Sequence, residues 1–361
     1  MSLDAPSTVP DLDIDDPDLW TRFTYDGRWA GAHGIGRHAH EVSIRLPDAW
    51  TILRPGAFGT IPSSAREPLD LARHLRSQPA GSWFISPGYN APFRGIGGAS
   101  MVPTVHDLLH LRSPHRAGAA KVAYCRAHLF PALRRAPLVL TVSETSRVDL
   151  ITEAGLDPRR VVVIGNGLSD SFARPETRPS SQGRDRRPTV VALSSEKHHK
   201  NLATILEALA RPELHEATVV LVGSPNSVSA EHGARLAREG RLRFVTGLDD
   251  HDLANVIRSA DAFLALSRLE GFDLPLIEAV AVTTPVVASD IPIHREVAAG
   301  LGGIRYAPAD EADSIAAVVS GVLAHPPTDA QLQADATTVI DRYDWNRVTQ
   351  RLLSALSEAA R

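Results

Sequence analysis

The stretch AFLALSRLEGFDLPLIEA, residues 262–279, combines a strand-length apolar run, a short loop and the start of a helix. Pro275 suits the first turn of a helix because its missing N–H has no intrahelical hydrogen bond to make there. Glu270 lies in the loop, and Glu278 lies about one turn into the helix, on the side that faces the loop. This spacing directs two carboxylates and several free backbone N–H groups at one crevice. Carboxylates accept hydrogen bonds from vicinal hydroxyls, and a helix N-terminus favours an anion such as phosphate.

The same succession of a β-branched run and a helical segment recurs through most of the chain, which indicates βαβ units and parallel sheets. The candidate strands of the first half are 21–26, 50–53, 83–86, 102–105, 138–142 and 161–164. Those of the second half are 189–193, 218–223, 242–246, 262–266, 285–288 and 303–306. The candidate helices of the second half are 201–210, 231–239, 250–259, 275–282, 291–299, 310–324 and 344–356.

A polar segment separates the two series of strands. Residues 171–188 hold prolines and arginines without apolar periodicity, which is typical of an interdomain linker. Because a single sheet of about twelve strands is uncommon, the sequence predicts an α/β protein with two Rossmann-like domains that face each other across a ligand-binding cleft. The expected parts are a loose acidic leader at 1–19, an N-terminal domain at 20–170, a C-terminal domain at 189–343, and a helix at 344–361 that packs back on the N-terminal domain.

Composition excludes several classes of function. The 361 residues carry 38 Lys and Arg against 42 Asp and Glu, and no basic run is dense enough to follow a phosphate backbone, so nucleic acid is not an expected partner. One cysteine, Cys125, excludes a disulfide framework and fits a reducing cytosol. No apolar run approaches the roughly 20 residues that span a bilayer, and the acidic N-terminus resembles neither a signal nor a transit peptide. We therefore expect a cytoplasmic protein. The histidines lack carboxylates at ligand spacing, so no metal site is expected.

Glu270 and Glu278 have seven residues between them, among which are Gly271-Phe272 and Leu274-Pro275. They resemble the Glu-x7-Glu motif of the family 4 retaining glycosyltransferases. These enzymes have the two-Rossmann-domain fold called GT-B, and the resemblance extends from residue 21 to about residue 356. It implies a metal-independent hexosyltransferase without a cofactor. Such an enzyme moves a hexose from a nucleotide diphosphate sugar to a hydroxyl of a glycan, lipid-linked or small-molecule acceptor.

The resemblance also implies roles for individual residues of the second domain. Glu278 is expected to hold the ribose hydroxyls of the donor and Glu270 to orient the sugar hydroxyls as a catalytic residue. Lys200, also catalytic, and Lys197 neutralise the diphosphate; they are two of only three lysines in the chain. The other expected donor contacts are the backbone N–H groups near Gly271 and Phe272, and the residues Asp273, Leu274 and Ser194. Asp273 stands where the motif usually has Gly.

Three residues of the first domain complete the expected site. His106, in the sequence Thr-Val-His-Asp-Leu, corresponds to the family histidine that approaches the donor sugar and the transferring oxygen. Gly34 and Gly36 resemble the glycine-rich turn that lets the backbone approach the donor before a helix starts. A Gly-x-Gly turn by itself also fits a dinucleotide site. Ser143 is expected mostly to cap a helix N-terminus, and Asp107, beside His106, can do the same.

The sequence constrains the identity of the donor, the acceptor and any contact with a membrane less than it constrains the fold. The sequences Asp-Gly-Arg at 26–28, Gly-Ile-Gly-Arg at 34–37 and Ser-Pro-Gly-Tyr at 86–89 look most like bacterial mannosyl- and rhamnosyl-transferring members. GDP-mannose is therefore the first candidate donor, with UDP-glucose and dTDP-rhamnose as alternatives. The basic segment 115–135 is either a core-facing helix with a solvated side or a peripheral contact with the inner face of the membrane.

Two other classes of function compete with glycosyltransfer. One is another enzyme on two Rossmann-like domains, such as a sugar-nucleotide epimerase or an NAD-dependent oxidoreductase. The oxidoreductase needs a ribose-binding acid about 20 residues beyond Gly36, where residues 58–64 offer none. The second class is a non-catalytic sugar-nucleotide-binding protein, in which loss of Glu270 or Glu278 would be the expected mark. Both glutamates are present.

Overall fold

The computed structural model describes residues 20–31, 34–57, 61–62, 64–93, 96–112, 119–173, 187–195, 197–223 and 231–361. The predicted leader at 1–19 and residues 174–186 of the predicted linker lie outside this part of the chain. Two compact units are present: an N-terminal unit of Met1–Gly165 with Trp345–Arg361, and a C-terminal unit of Asn166–Asp344. Within the described residues, no helix is both long enough and apolar enough to cross a bilayer.

The N-terminal unit contains a parallel sheet with the strand order β2-β1-β3-β4-β5-β6. Its strands are β1 (Phe23–Tyr25), β2 (Thr51–Ile52), β3 (Trp83–Ser86), β4 (Ser100–Val105), β5 (Val139–Thr141) and β6 (Val161–Val163). Its helices up to residue 165 are α1 (Gly34–Ser43), α2 (Glu67–Ser77), α3 (Leu109–Arg112), α4 (Ala119–Tyr124), α5 (Phe130–Arg135) and α6 (Glu144–Ala154).

The C-terminal unit contains a second parallel sheet with the order β12-β11-β10-β7-β8-β9. Its strands are β7 (Thr189–Leu193), β8 (Thr218–Val222), β9 (Leu242–Val245), β10 (Ala262–Ala265), β11 (Val286–Ser289) and β12 (Ile304–Ala307). Its helices are α7 (Asp170–Ala173), α8 (Leu202–Leu209), α9 (Glu231–Arg238), α10 (Asp250–Arg258), α11 (Leu274–Ala281), α12 (Pro292–Val297), α13 (Ala312–Ala324) and α14 (Asp329–Arg342).

The order of the second sheet determines where its loops meet. β7 pairs with β8 on one side and with β10 on the other, so the chain changes direction between β7 and β10. Ligands of open α/β sheets bind outside the carboxyl ends of the strands at such a switch point. The loop after β7 carries Lys200, and the loop after β10 carries Glu270, so the topology brings both residues to one edge.

The last helix, α15 (Trp345–Ala360), returns to the N-terminal unit. Trp345, Leu352 and Leu356 are buried in the same apolar cluster as Phe23 and Ile85 from the N-terminal sheet. The prediction that the C-terminal helix packs on the N-terminal domain is therefore confirmed, together with the two Rossmann-like α/β units.

Every predicted strand is present within two residues of its predicted ends, because short apolar runs bounded by turns mark buried strands clearly. Two predictions differ from the structure. Residues 171–173 belong to α7, whose Phe172 is buried, rather than to a linker. Helix α14 was not among the predicted helices, because its buried stripe consists of Leu332, Ala336 and Val339 among polar residues.

The described part of the basic segment 115–135 supports one of its two interpretations. Leu129, Phe130 and Leu133 are buried in an apolar cluster of the N-terminal unit. Arg126 and Arg134 are exposed on the opposite side. The apolar face is therefore occupied by the core, as expected for a core-facing helix with a solvated side.

Candidate active site

The loop between β10 and α11 follows the predicted geometry. α11 begins at Leu274, which is partly buried, and Pro275 lies in its first turn. Asp273 precedes the helix with φ 69°, in the left-handed region that favours glycine. Asp is one of the few other residues that adopt this region routinely. The left-handed backbone therefore explains why the family motif has Gly at this position. It also explains why Asp can replace Gly at a limited cost in free energy.

Glu270 and Lys200 form an ion pair at this edge of the sheet. Lys200 Nζ lies 2.6 Å from Glu270 Oε1, and the exposed fractions of the two side chains are 25% and 9%. Burial, reinforced by the negative charge of Asp273, raises the pKa of Glu270 despite the opposing effect of Lys200. The structure thus brings together two of the three predicted catalytic residues, in a setting where the proton affinity of the carboxylate depends on the lysine.

Asp273 is anchored by a buried histidine. Its Oδ2 accepts a hydrogen bond from His294 Nε2 at 2.8 Å, and both side chains are almost completely buried. Burial opposes ionisation of Asp273, but the hydrogen bond and charge of His294 outweigh it and hold the pKa of the carboxyl below its usual range. One oxygen of Asp273 is therefore already engaged by the protein, and its predicted contact with the donor stays a prediction.

Three further predicted donor residues surround this loop. Glu278 lies on α11 and is 3% exposed. Gly271 is buried, and Phe272 packs edge-on against Tyr343 with ring centroids 5.4 Å apart. The aromatic contact holds the loop against the segment between α14 and α15, within the C-terminal unit.

The loop after β7 carries Ser194 and Lys197. Ser194 is partly buried, and its backbone N–H donates to the carbonyl of Val222 at 2.8 Å. Lys197 is exposed and precedes the turn His198–Lys200. The structure therefore places Lys197 in the same loop as Lys200, with its side chain accessible to an anion.

Arg268 fastens this turn to the motif loop and was missed by sequence reasoning. Its backbone N–H donates to His199 O at 2.7 Å, and its Nη1 donates to His198 O at 3.1 Å. Its Nη2 also donates to Thr204 Oγ1 at 3.0 Å. Arg268 thereby holds the loops of Lys200 and Glu270 in register.

Asn201, also without a predicted role, joins three loops. It has φ 59° and is buried, and its Nδ2 donates to Leu266 O at 3.0 Å and to Ala309 O at 2.6 Å. The available signal was the Lys-Asn-Leu sequence, since Asn tolerates left-handed backbone and offers two donors.

A cavity of about 450 Å³ opens beside the carboxyl ends of β8 and β9 in the same unit. Gly223 lines it with φ 132°, and a Cβ there would lie 2.7 Å from Ser194 O, so only glycine fits. The cavity therefore adjoins the loop that bears Ser194. Its lining residues are Val222, Gly223, Val245, Thr246, Gly247, Leu248 and Leu253.

In the N-terminal unit, His106 follows β4 and is partly buried. Its Nε2 lies 2.9 Å from Pro87 O, and because a carbonyl only accepts, Nε2 donates this hydrogen bond. The ring of His38 from α1 meets His106 edge-on with centroids 5.0 Å apart. Helix α1, which also carries Gly34 and Gly36, is therefore packed beside His106. Asp107 Oδ1 accepts from Leu109 N at 3.1 Å, the expected capping contact.

The two glycines differ in one respect from the sequence expectation. Gly34 is the first residue of α1 and Gly36 lies within its first turn, so they do not precede the helix. A Cβ at Gly36 would come within 2.5 Å of Gly31 O. The close approach that requires glycine at this position is therefore between segments of the chain itself.

A buried ionic network supports the segment that carries Pro87. Arg28 Nη2 donates to Asp26 Oδ2 and to Glu67 Oε1, each at 2.7 Å. Asn90 Nδ2 donates to Glu67 Oε1 at 3.0 Å, and Asn90 Oδ1 accepts from Ser86 Oγ. The sequence showed Asp-Gly-Arg at 26–28, but not that Glu67 and Asn90 converge on it.

Among the described residues, one trio of His and acidic side chains lies close enough to share a metal ion: Asp249, His251 and Asp252, all exposed at the start of α10. Asp249 Oδ1 already accepts a hydrogen bond from Asp252 N at 2.8 Å and caps the helix. The trio is separate from Glu270, Lys200 and Glu278.

Known proteins share this architecture. A structure of Anabaena Alr3699/HepE in complex with UDP and glucose aligns with a TM-score of 0.71 and 17% identity, over 93% of this chain and 99% of that chain. The alignment shows that the two proteins share the GT-B fold.

Curated sequence relatives are mannosyltransferases. The MMP alpha-(1->4)-mannosyltransferase of Mycolicibacterium hassiacum is 28% identical over 63% of this chain and 55% of its own length. The GDP-mannose:cellobiosyl-diphosphopolyprenol alpha-mannosyltransferase of Komagataeibacter xylinus is 26% identical over 52% of this chain and 49% of its own length. The chain thus spans about half the length of the curated relatives it matches.

Two family models adjoin along the sequence. Residues 35–172 match Glycosyltransferase Family 4, and residues 173–339 match Glycosyl transferases group 1. Because the matches together run from residue 35 to residue 339, the chain belongs to the family 4 glycosyltransferases, with a group 1 C-terminal half.

Proposed function

We propose that this protein transfers a hexose from a nucleotide diphosphate sugar to an acceptor hydroxyl with retention of the anomeric configuration. Mannose is the first candidate for this hexose. The observation that carries the proposal is the ion pair of Lys200 and Glu270 at the switch point of the C-terminal sheet, in the loop that leads into the helix of Glu278. The names of the curated relatives and the group 1 match support the same chemistry.

The donor end of the reaction is assigned to the C-terminal unit. Glu278 accepts hydrogen bonds from the ribose hydroxyls, and the 450 Å³ cavity near Gly223 receives the base. Lys200 and Lys197, with the positive N-terminal end of the α11 dipole, stabilise the diphosphate. Preorganised cations and helix N-termini stabilise the charge that grows on the leaving oxygen, so we propose a metal-independent reaction without a cofactor.

Bond changes occur at the anomeric carbon. The bond from this carbon to the diphosphate oxygen breaks, a bond to the acceptor oxygen forms on the same face, and the acceptor proton passes to the departing phosphate. Glu270 orients the sugar hydroxyls during this step, and Lys200 balances the charge of Glu270 and of the phosphate. His106 is assigned to sugar and acceptor hydroxyls. GDP-mannose is the proposed donor, supported by the donor named for the Komagataeibacter relative.

The acceptor is assigned as a glycan or lipid-linked hydroxyl. The diphosphopolyprenol named for the same relative is an acceptor of that kind. We place the reaction in the cytoplasm. Because the apolar face of segment 115–135 is buried in the core, the contact that we propose with the inner membrane face is through charge alone, from the exposed Arg126 and Arg134.

A nucleotide panel tests the proposal first. Thermal midpoints are measured with GDP, UDP, dTDP, ADP, NAD and NADP, each with and without EDTA. Stabilisation by one nucleoside diphosphate that is indifferent to EDTA is expected, since ligand at about a hundred times its Kd adds roughly 2.7 kcal/mol. Stabilisation by NAD or NADP alone would overturn the proposal in favour of an oxidoreductase. With the preferred donor sugar, proton NMR of the product then reports the anomeric configuration.

A further inference from the structure

A histidine that the proposed mechanism does not use lies behind the motif loop. His294 belongs to α12 and is completely buried. Its Nε2 lies 2.8 Å from Asp273 Oδ2, and its Nδ1 lies 2.9 Å from the backbone carbonyl of Ser289. Both ring nitrogens therefore face oxygen atoms of the protein.

Counting protons at these contacts determines the form of the ring. A carbonyl oxygen only accepts, so Nδ1 must carry a proton toward Ser289 O. Ser289 Oγ, 3.1 Å from Nδ1, donates its own proton to Ser267 O and therefore also accepts from the ring. The carboxylate of Asp273 likewise only accepts, and it accepts from Nε2 at 2.8 Å. A neutral imidazole donates from one nitrogen only, so two donated bonds require the imidazolium.

We propose that His294 is held as a buried imidazolium and acts as a positioning residue of the donor site, by fixing Asp273 and with it the turn between Glu270 and Leu274. The charge state of His294 rests on the contacts of both ring nitrogens and on Asp273 being a carboxylate. The positioning role rests on the proposed function, because it supposes that this turn receives a nucleotide diphosphate sugar.

Two features of the turn require such an anchor. Asp273 has φ 69°, a conformation that costs a residue other than glycine free energy and persists only where its surroundings hold it. Asp273 also lies close enough to Glu270 for its charge to raise the pKa of that carboxyl. Without a counter-charge, Asp273 would add an unbalanced negative charge beside a site that must accept a diphosphate.

The charges near the ring are arranged in pairs. Glu270 is balanced by Lys200 from the loop after β7, and Asp273 is balanced by His294. On α12 itself, Arg295 pairs with Asp290 at 2.7 Å, and both side chains are about half exposed. The remaining polar neighbours from β10 and β11 are the uncharged groups of Ser267 and Ser289. His294 is thus the cation in direct contact with Asp273.

The charge state is tested by NMR of the full chain labelled with 15N-histidine, at pH 7.5. We expect one imidazole with both nitrogens protonated, and its signals should vanish in His294→Gln but not in His251→Gln, which changes an exposed histidine of α10. A single protonated nitrogen in the His294 ring would overturn the proposal. Should His294→Gln fail to fold, Asp273→Asn provides the same test, because His294 should then lose one proton.

The positioning role is tested with the nucleoside diphosphate that binds best among GDP, UDP and dTDP. We expect His294→Gln to weaken this binding about tenfold, as is common for coupled neighbours. Asp273→Gly removes both the charge and the need for an anchor, so adding it to His294→Gln should restore affinity to within about threefold of the wild type.

Two results would contradict the positioning role. One is a lower thermal midpoint of His294→Gln with unchanged nucleotide affinity, which shows a purely structural histidine. The other is a double variant that binds no better than His294→Gln alone. If the wild type binds none of the three nucleotides, the proposed function fails, whereas the NMR result still decides the charge state.

Discussion

Lys200 Nζ lies 2.6 Å from Glu270 Oε1, so a cation and an anion from the loops after two neighbouring strands meet at the edge of the C-terminal sheet. Lys200 lowers the pKa of Glu270, whereas burial and Asp273 raise it. The pair therefore links two proposed roles. A change in charge near Lys200, such as the binding of the diphosphate, should change the pKa of Glu270, the carboxylate that we propose orients the sugar.

Removal of Lys200 should shift the pH dependence of activity in a defined direction. In Lys200→Met the pKa of Glu270 rises further, because burial and Asp273 then act without an opposing cation. If Glu270 acts as a carboxylate, the acid limb of the kcat/KM profile moves to higher pH, and turnover also falls at the optimum. Profiles between pH 4.5 and 8.5 measure the shift. Movement to lower pH would contradict the assigned pair.

A matched control exists for the same experiment. Glu207→Ala removes one partner of the solvent-accessible pair between Glu207 of α8 and Arg211, which follows that helix. Because exposed pairs contribute about 0–1 kcal/mol, this variant should keep the wild-type profile, whereas Glu270→Ala should lower turnover more than nucleotide affinity.

Glu278→Ala should weaken nucleoside diphosphate binding about tenfold to a hundredfold, the effect of losing hydrogen bonds to a charged acceptor worth roughly 1.5–3 kcal/mol. Calorimetric titration measures this change. The 2′-deoxy form of the same nucleotide supplies the control: it should bind more weakly than the ribonucleotide in the wild type but equally in Glu278→Ala. A ribose preference that survives the substitution would remove Glu278 from the site.

His106→Ala should reduce kcat more than donor affinity, since the proposed role is with the transferring group rather than the nucleotide. His128→Ala is the comparison, because His128 Nε2 also lies near a backbone carbonyl, Ala91 O, at 3.0 Å. Steady-state kinetics of both variants separate the role in catalysis from the role in packing. Equal loss of activity in both would show that His106 acts structurally.

Arg28→Leu should destabilise the N-terminal unit by about 3–5 kcal/mol, because it leaves Asp26 and Glu67 buried without a counter-charge. All five tryptophans of the chain, Trp20, Trp29, Trp50, Trp83 and Trp345, belong to this unit, so their fluorescence during urea unfolding reports on it. Arg159→Leu, at a fully exposed pair with Asp157, should leave stability almost unchanged. Equal effects of the two substitutions would contradict the buried network.

Whether a feature could be predicted from the sequence depends on how far apart in the chain the interacting residues lie. Strands and the loop of Glu270 were predictable because they depend on neighbouring residues: an apolar run, a turn, and Pro275 in the first helical turn. The resemblance to a known family placed Lys200 and Glu270 in one site, but it did not predict their ion pair.

The parts that were missed depend on distant partners. Glu67 and Asn90 show no local pattern that points to Arg28, and His294 shows none that points to Asp273. Arg268 stood within the quoted motif, but its contacts with His198 and His199 depend on strand order. Helix α14 was missed for a different reason, because alanine contributes weakly to an apolar stripe.

The return of α15 to the N-terminal unit has a consequence for biosynthesis. The C-terminal unit is one continuous segment, Asn166–Asp344, and its core needs no residue that is translated after Asp344. The N-terminal unit is translated first but cannot close its core until Trp345 and the residues after it emerge. The order of completion therefore does not follow the order of synthesis, because the unit that is translated first depends on the helix that is translated last.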